Sequence, residues 1–147
     1  MIEVYTDGSC LGNPGTGGWA FQVFNEGTTI NHFGYQLDTT NNQMELTAAI
    51  KALEFLQKES EIILFTDSTY VRNGITSWIV NWKKNNWKNS QRKDVKNKVL
   101  WEKLDFLNSR KNITWKWVKA HDINEHNNKV DLLAREAAEN LIKSSFD

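Results

Sequence analysis

The start of the chain carries three short apolar runs that are separated by turn residues. The runs cover residues 2–6, 19–24 and 28–35, and their β-branched and aromatic content predicts three strands. Glycine is frequent over residues 13–18, and Asn25-Glu26-Gly27 forms a tight polar turn. Because the connections are short, the pattern predicts an antiparallel meander.

From Thr40 onward the apolar residues recur with the period of a helix. Thr40 and Gln43 have the spacing of a capping box, which marks a helix start. Glu45 lies near the first turn, on the side that the small and apolar residues share. The apolar members of this stripe follow at helical intervals: Leu46, Ala49, Ile50, Leu53 and Leu56.

The rest of the chain alternates strands with helices. Residues 62–65 are apolar without alternation, as in a strand covered on both faces, and the strand-helix-strand order favours parallel pairing with the first strand. A helix capped by Ser68 or Thr69 is predicted to reach Trp78. The later elements are a helix over 99–107, a strand over 113–118 and a helix over 130–142. The predicted fold class is α/β, a mixed five-stranded sheet flanked by helices in the order β-β-β-α-β-α-α-β-α.

Composition and charge limit the kind of protein. A length of 147 residues is typical of one domain, so we expect a single domain over residues 1–147. The 18 basic and 18 acidic residues cancel, and no net charge directs the chain to nucleic acid or membrane. The single cysteine, Cys10, excludes an internal disulfide, and no apolar run has the length of a membrane span. We therefore expect a cytoplasmic protein without a membrane partner.

Four acidic residues fall where the predicted elements converge. Asp7 and Asp67 each follow an apolar run that ends in Thr, so neighbouring parallel strands would bring both carboxylates to one sheet edge. Like charges about 4 Å apart repel by about 4 kcal/mol at an effective dielectric of about 20, and a bound cation relieves that repulsion. Glu45 on the first long helix and Asp131 at the start of the last helix complete the set.

Each acid alone also has an ordinary explanation. An Asp after a strand commonly makes an Asx-turn, and an acidic residue in the first turn of a helix complements the helix dipole. Together, however, the four carboxylates would bind two divalent ions. Such a pair of ions aligns an in-line attack on phosphorus in many nucleases.

Long ordered motifs run through the chain from residue 1 to about residue 142. They are YTDGSCLGNPGTGGW, TTNNQMELTAAIKAL, FTDSTYVRNGITSW, the basic WKKNNWK, and VKAHDINEHNNKVDLLA. With these motifs the chain resembles a type I ribonuclease H of the bacterial kind. The resemblance implies the ribonuclease H fold and an endonuclease that hydrolyses the RNA strand of RNA/DNA hybrids, leaving 5′-phosphate and 3′-hydroxyl ends.

The same resemblance implies a catalytic set and a cofactor. Asp7, Glu45, Asp67 and Asp131 match the family's catalytic, metal-holding acids. They would hold two Mg²⁺ ions, with Mn²⁺ as the alternative ion and Asp7 as the bridging ligand. The expected partner is an RNA/DNA hybrid duplex, and the expected state is a monomer.

His121 matches a histidine of the family that is suggested to move protons or to help product leave. A lone histidine in a loop is more often an ordinary surface residue. Ala120, which stands where the family usually has Gly, departs from the pattern just before it. The resemblance therefore implies an auxiliary catalytic role for His121. Alanine adopts fewer backbone conformations than glycine, so the loop that carries His121 is expected to be stiffer than in the family.

Polar residues near the acids are the implied contacts with the hybrid. Reading a hybrid requires groups that detect the 2′-hydroxyl on one strand and its absence on the other. The implied contacts are Cys10, Asn13, Thr40, Asn41, Gln43 and Thr69, with Asn42 a weaker candidate. The ordinary alternatives are a turn at Asn13, a helix cap at Thr40 and a helix start at Asn41. Thr69 also departs from the family, which commonly has Gln there.

A basic segment over about residues 79–98 carries the clearest local charge. From Trp78 to Lys98 the chain has seven basic side chains against the single acid Asp94, a net charge of +6. Lysines neutralise phosphates and a flat ring packs on a sugar, so the segment is predicted to bind the hybrid. The predicted contacts here are Trp78, Lys83, Lys84 and Lys88. The alternatives are a solvated face for the charges and a small local core for Trp82 and Trp87.

Two other classes of function remain open at this point. A non-catalytic module could bind hybrids on the same scaffold, although four converging acids near phosphates give a pure binder no advantage. A related nuclease of the same fold, such as a resolvase or the ribonuclease domain of a reverse transcriptase, is the other alternative. Trp101, Trp115 and Trp117 are expected to be core or support residues rather than substrate contacts.

Overall fold

The computed structural model describes residues 1–118 and 125–141. Within them, one sheet contains β1 (Ile2–Cys10), β2 (Gly15–Asn25), β3 (Thr28–Thr39), β4 (Glu61–Thr66) and β5 (Asn112–Trp117). The α-helices are α1 (Asn41–Phe55), α2 (Thr69–Asn73), α3 (Ile79–Lys84), α4 (Lys98–Ser109) and α5 (Glu125–Glu139). A π-helical segment, Gly74–Trp78, joins α2 to α3.

The sheet has the strand order β3-β2-β1-β4-β5. β1 pairs with β2, and β2 with β3, in antiparallel fashion, whereas β4 lies parallel to both β1 and β5. Glu26 and Gly27 both have positive φ, 48° and 82°, in the two-residue turn between β2 and β3. Such a turn matches the twist of the strands that it joins. The predicted fold class is confirmed.

The first strands are longer than the sequence pattern predicted. β1 continues to Cys10 because Gly8, Ser9 and Cys10 go on pairing with β2, whose glycines at its start lie in the strand rather than in a turn. Asp7 is therefore inside β1, not after its end. The parallel pairing with β4 nevertheless stops at Thr6 and Thr66, so Asp7 still lies at the edge where β4 ends.

Helices cover both faces of the sheet. On one face, α1 and α4 bury a core that includes Val4, Phe21 and Trp101. On the other face, a smaller cluster forms where Val130 and Ala134 of α5 pack against β1 and β2. Both α1 and α5 pack against β1, so residues from these two helices can reach the side chains of β1.

The helix predictions need two corrections. The helix after Ser68 does not stop at Trp78 but continues to Lys84, with a π-helical stretch where Gly74 lies against the Trp101 ring. α5 begins at Glu125 rather than at residue 130, so Asp131 lies in its second turn and not at its start. In the described parts of the chain, no helix is long and apolar enough to cross a membrane.

Candidate active site

Asp7 and Glu45 meet at the backbone amide of Gly8. This N–H lies 2.6 Å from Oε1 of Glu45 and 3.0 Å from Oδ1 of Asp7, and it donates to both carboxylates. Both acids are buried, with exposed fractions of 2% for Asp7 and 7% for Glu45. One backbone donor therefore orients two carboxylates that come from a strand and from a helix.

The contact depends on the close approach of β1 to α1. A Cβ on Gly8 would lie 2.3 Å from the carbonyl carbon of Met44 and 2.4 Å from the nitrogen of Glu45. Both atoms belong to the helix backbone, which cannot rotate aside as a side chain can. The glycine therefore sets the distance between α1 and β1, and with it the spacing of the Asp7 and Glu45 carboxylates.

Asp67 lies immediately after β4 and is held from three directions. Its turn is fixed because Thr66 Oγ1 accepts from the Ser68 N–H at 3.1 Å, and Ser68 Oγ caps α2. Trp117 Nε1 donates to the Asp67 carbonyl oxygen at 3.2 Å, and Asn127 Nδ2 donates to Oδ2 of Asp67 at 3.4 Å. Asp67 is therefore oriented by the turn that follows β4, by β5 and by α5.

The three acids Asp7, Glu45 and Asp67 form one cluster, with a carboxylate oxygen of each within 4.8 Å of the others. Burial is the main cause that raises the pKa of Asp7 far above its usual range, and the charges of Glu45 and Asp67 add to it. Burial, followed by the charge of Asp67, raises the pKa of Glu45 to about 8. Without a counter-charge, the cluster therefore retains protons near neutral pH.

Asp131 lies near this cluster but does not belong to it. Its negative charge is one of the smaller causes that raise the pKa of Asp7, which shows that α5 brings it to the same edge. Its Oδ2 accepts from Arg135 Nη2 at 3.0 Å, one helical turn further along α5. The structure thus brings three of the four predicted acids together and leaves the fourth paired with an arginine.

The donor set of the cluster fits a hard divalent cation. All the groups are carboxylates, the oxygen ligands that Mg²⁺ and Mn²⁺ prefer. Oδ2 of Asp7 is buried and has no hydrogen-bond partner among the described residues. A buried carboxylate oxygen without a partner is costly, and a cation between the three acids would satisfy it.

The predicted substrate contacts at the start of α1 also have structural roles. Oδ1 of Asn13 accepts from the Asn41 N–H at 3.1 Å, which ties the β1–β2 turn to the helix, and Thr40 Oγ1 caps the helix by accepting from the Gln43 N–H at 3.2 Å. Cys10 Sγ donates to the Thr39 carbonyl oxygen at 3.4 Å. These contacts match the ordinary explanations, and the contacts with a hybrid remain predictions.

The structure describes Thr69 but not His121. Thr69 is exposed as the first residue of α2, two residues after Asp67. His121, together with Ala120 before it, lies outside the described residues. Their predicted roles in binding and catalysis therefore remain predictions.

The basic segment, residues 79–98, uses part of its charge within the protein. Lys83 pairs with Asp105 at 3.2 Å, and Asp94 pairs with Lys88 at 2.5 Å and with Lys98 at 3.6 Å. The other four basic side chains of the segment, one of which is Lys84, make no ion pair with any described residue. Local positive charge is therefore available for an anionic partner.

Aromatic rings connect the basic segment to the core. Trp82 lies 5.3 Å from the buried Trp101, and Trp78 and Trp87 lie 5.9 Å and 6.1 Å from Trp82, measured between ring centroids. Trp78 is 38% exposed, and its contact with the DNA strand stays a prediction. The small local core that was the alternative for Trp82 and Trp87 is also present.

Sequence reasoning missed several residues that organise this edge. Asn127 is 2% exposed and donates to Asp67, while Tyr70 and Asn97 form a hydrogen-bonded chain with Gln43. Trp117 is 42% exposed, so it is not a core residue, but it supports the Asp67 backbone as described above. Each contact joins segments that are distant in the chain, and no local spacing signals it.

The acidic cluster at the edge of the sheet is a candidate metal site, and comparison with known proteins gives the family. The RNase H family profile matches residues 1–139. A ribonuclease H of Francisella tularensis subsp. novicida (strain U112) is 50% identical over 141 residues, which cover 96% of this chain and 93% of that protein. The chain belongs to the ribonuclease H family.

Solved structures agree with this assignment. LC9-RNase H1, described as a type 1 RNase H with the type 2 active-site motif, matches with a TM-score of 0.86 at 27% identity, over 98% of this chain and 74% of that one. LC11-RNase H1, solved in complex with an RNA/DNA hybrid, matches with a TM-score of 0.69 at 27% identity, over 95% of this chain and 98% of that one.

Proposed function

We propose that the chain is an endonuclease that hydrolyses the RNA strand of RNA/DNA hybrids and leaves 5′-phosphate and 3′-hydroxyl ends. The observation that carries the proposal is the buried cluster of Asp7, Glu45 and Asp67 in a chain half identical to a ribonuclease H. The hybrid bound to LC11-RNase H1 supports the choice of substrate. In this proposal residues 1–147 act as one domain and as a monomer.

Asp7, Glu45, Asp67 and Asp131 would hold two Mg²⁺ ions, with Mn²⁺ as an alternative. Such ions activate a water for attack and neutralise the charge that develops on the phosphate. The unpartnered Oδ2 of Asp7 supports Asp7 as one of the ligands. Asp131 would serve as a ligand through Oδ1, or through Oδ2 after giving up its contact with Arg135.

The remaining residues would bind and orient the hybrid. Gly8 holds two of the carboxylates in place before substrate arrives, so they need little reorganisation in the transition state. The exposed ring of Trp78 and lysines of the basic segment would bind the DNA strand through its sugars and phosphates. The polar contacts that read the hybrid near the acids would be Cys10, Asn13, Thr40, Asn41, Gln43 and Thr69. His121 would carry protons or help product leave.

The test compares three labelled duplexes of one sequence, RNA/DNA, RNA/RNA and DNA/DNA, each with Mg²⁺ and with chelator. We expect cleavage only of the RNA/DNA duplex and only with Mg²⁺. Binding of the hybrid without any cleavage would instead identify a binding module. Cleavage of DNA/DNA would identify a related nuclease with another substrate.

Stabilisation by metal should depend on pH. The folded protein holds protons on Asp7 and Glu45 because their pKa values are raised, so the metal-free fold loses stability as the pH rises from the ordinary value of 4.5 toward about 8 for Glu45. A cation must displace those protons, and its binding therefore strengthens over the same range.

We expect the rise in Tm that Mg²⁺ produces over chelator to grow between about pH 5 and about pH 8. The measurement is thermal unfolding at constant ionic strength, with Ca²⁺ as a second divalent ion. A Mg²⁺ effect that is equal at both pH values would contradict the coupling of metal to these carboxyls.

A further inference from the structure

Arg72 is a cation near the acids that lies outside the basic segment. It belongs to α2, five residues after Asp67, and its guanidinium lies 5.4 Å from the centroid of the Trp117 ring. No ion pair or side-chain hydrogen bond joins this guanidinium to another residue in the described part of the chain. A guanidinium carries five N–H donors in a fixed fork, so those of Arg72 are available to an acceptor from outside.

Trp117 holds this cation beside Asp67. At the end of β5, Trp117 is paired with Thr66, and the N–H of the next residue, Val118, donates to the Thr66 carbonyl oxygen at 2.9 Å. The indole Nε1 of Trp117 donates to the Asp67 carbonyl oxygen at 3.2 Å. An aromatic face attracts a guanidinium, so the same indole contacts Asp67 through its N–H and Arg72 through its face.

Both side chains reach the surface at the end of the sheet where the acids lie. Trp117 is 42% exposed, and Arg72 is half-buried. Arg72 comes four residues after Ser68, the N-cap of α2, which corresponds to about 6 Å of helix rise. A nucleic-acid strand that lies across Asp67 and continues toward β5 would therefore pass within reach of the Arg72 side chain.

A backbone phosphate is the acceptor that suits this place. Guanidinium and phosphate pair through two parallel N–H···O bonds, and the pairing is strong because both groups are charged. In the proposed function a phosphate of the RNA strand lies at the acids, so the phosphates on either side of it belong to the same strand. Such a contact carries no base information, because every nucleotide has the same phosphate.

We propose that Arg72, held by Trp117, binds a phosphate of the RNA strand next to the one that lies at the acids. The inference rests on the proposed function. It adds a contact with the RNA strand on the β5 side of Asp67, whereas the basic segment is assigned to the DNA strand. Arg72 is a substrate-binding residue and not a catalytic one, so its loss weakens binding and leaves the chemical step in place.

Three variants separate the charge of Arg72 from its packing. Arg72→Gln removes the charge and keeps a polar side chain that suits a helix. Arg72→Lys keeps the charge and removes the planar fork. The matched control is Arg110→Gln, because Arg110 also lies over an aromatic ring, 4.3 Å from the centroid of Phe106. Arg110 comes two residues before β5 begins, at the opposite end of that strand from Trp117.

The experiment measures kcat and KM for the hybrid with Mg²⁺ at KCl concentrations between about 50 and 200 mM. We expect Arg72→Gln to raise KM by about 3-fold to 10-fold and to change kcat by less than about twofold. The slope of log KM against log [KCl] should fall by about 0.7–0.9, as for one lost phosphate contact. Arg72→Lys should keep the wild-type slope, and Arg110→Gln should keep both KM and the slope.

A second substrate identifies the strand that Arg72 contacts. Its RNA strand has a few ribonucleotides between 2′-O-methyl nucleotides, which confines cleavage to one register. One phosphate at a time, in either strand, is replaced by a neutral methylphosphonate. At one RNA position near the cut site, this replacement should raise KM for the wild type and leave KM of Arg72→Gln unchanged, because the variant has already lost the contact. A difference between the two proteins that appears only in the DNA strand would overturn the inference.

The remaining outcomes separate this inference from the proposed function. If the wild type cuts the hybrid and Arg72→Gln keeps its KM and salt slope, the inference alone is contradicted. A lower Tm of Arg72→Gln beside unchanged KM and slope leads to the same conclusion, since the residue then serves only the fold. A wild-type protein that leaves the hybrid intact contradicts the proposed function, and this inference with it.

Discussion

Asp7→Asn should abolish Mg²⁺-dependent cleavage of the hybrid, with a loss of at least about a thousandfold in kcat/KM. The substitution keeps the size of the side chain but removes the charge at the centre of the cluster. Oδ2 of Asp7 is a buried oxygen without a hydrogen-bond partner among the described residues, and it belongs to the carboxylate cluster that would bind the cation.

The same variant should be more stable than the wild type when no metal is present. Burial raises the pKa of Asp7, so near pH 8 the metal-free fold must hold a proton on Asp7 that the unfolded chain releases, and a neutral amide avoids that cost. We expect the free energy of unfolding at about pH 8 to be about 1–3 kcal/mol higher for Asp7→Asn than for the wild type. Mg²⁺ should reduce this difference, because it stabilises only the wild type. Thermal unfolding with chelator and with Mg²⁺ measures both effects.

Asp38→Asn is the matched control for this change. Asp38 is exposed near the end of β3 and has a φ of 49°, where asparagine is tolerated. This variant should keep wild-type cleavage and show no metal-dependent change in Tm relative to the wild type. An Asp7→Asn protein that retains a tenth or more of the activity would show that Asp7 is not essential for the reaction.

Gly8→Ala should lower both stability and activity, because its Cβ would meet the backbone of α1. The nearest atoms, in Met44 and Glu45, lie at 2.3 Å and 2.4 Å, and the helix must move outward to admit the methyl group. We expect the free energy of unfolding to fall by about 3 kcal/mol and Tm to fall by about 6–12 °C. Activity should fall further than stability explains, since the movement separates Glu45 from Asp7.

Gly27→Ala separates this effect from the general cost of losing a glycine. Gly27 has a φ of 82°, and a Cβ there meets nothing within 4 Å. We expect backbone strain to lower the free energy of unfolding of Gly27→Ala by about 1 kcal/mol. Its kcat should equal that of the wild type. If Gly8→Ala unfolds no more readily than Gly27→Ala and cleaves at the wild-type rate, the tight contact between β1 and α1 does not set the site.

The order of elements and the acids could be predicted because both follow from local patterns and chain order. Period-2 and period-3.6 apolar positions gave the sheet and helices, and the repeated Thr-Asp endings indicated where Asp7 and Asp67 would meet. Strand lengths were less predictable, since Gly8 and the glycines that begin β2 are poor strand formers that pair only because the partner strand is present.

The support of the site could not be predicted in this way. Asn127 looks like an ordinary polar residue of a surface helix, yet it is buried and donates to Asp67. The link from Gln43 through Asn97 to Tyr70 joins residues 54 and 27 positions apart in the chain. Such contacts depend on how helices pack against one another, so the spacing of side chains within one helix does not predict them.

The most direct test of the central claim labels the two strands of one hybrid with different dyes. The wild type is incubated with this duplex and Mg²⁺, and both strands are resolved at single-nucleotide length. We predict that the RNA strand is cut internally into products with 3′-hydroxyl ends, that the DNA strand stays intact, and that chelator stops the reaction. An intact RNA strand, or cleavage of the DNA strand, would contradict the account.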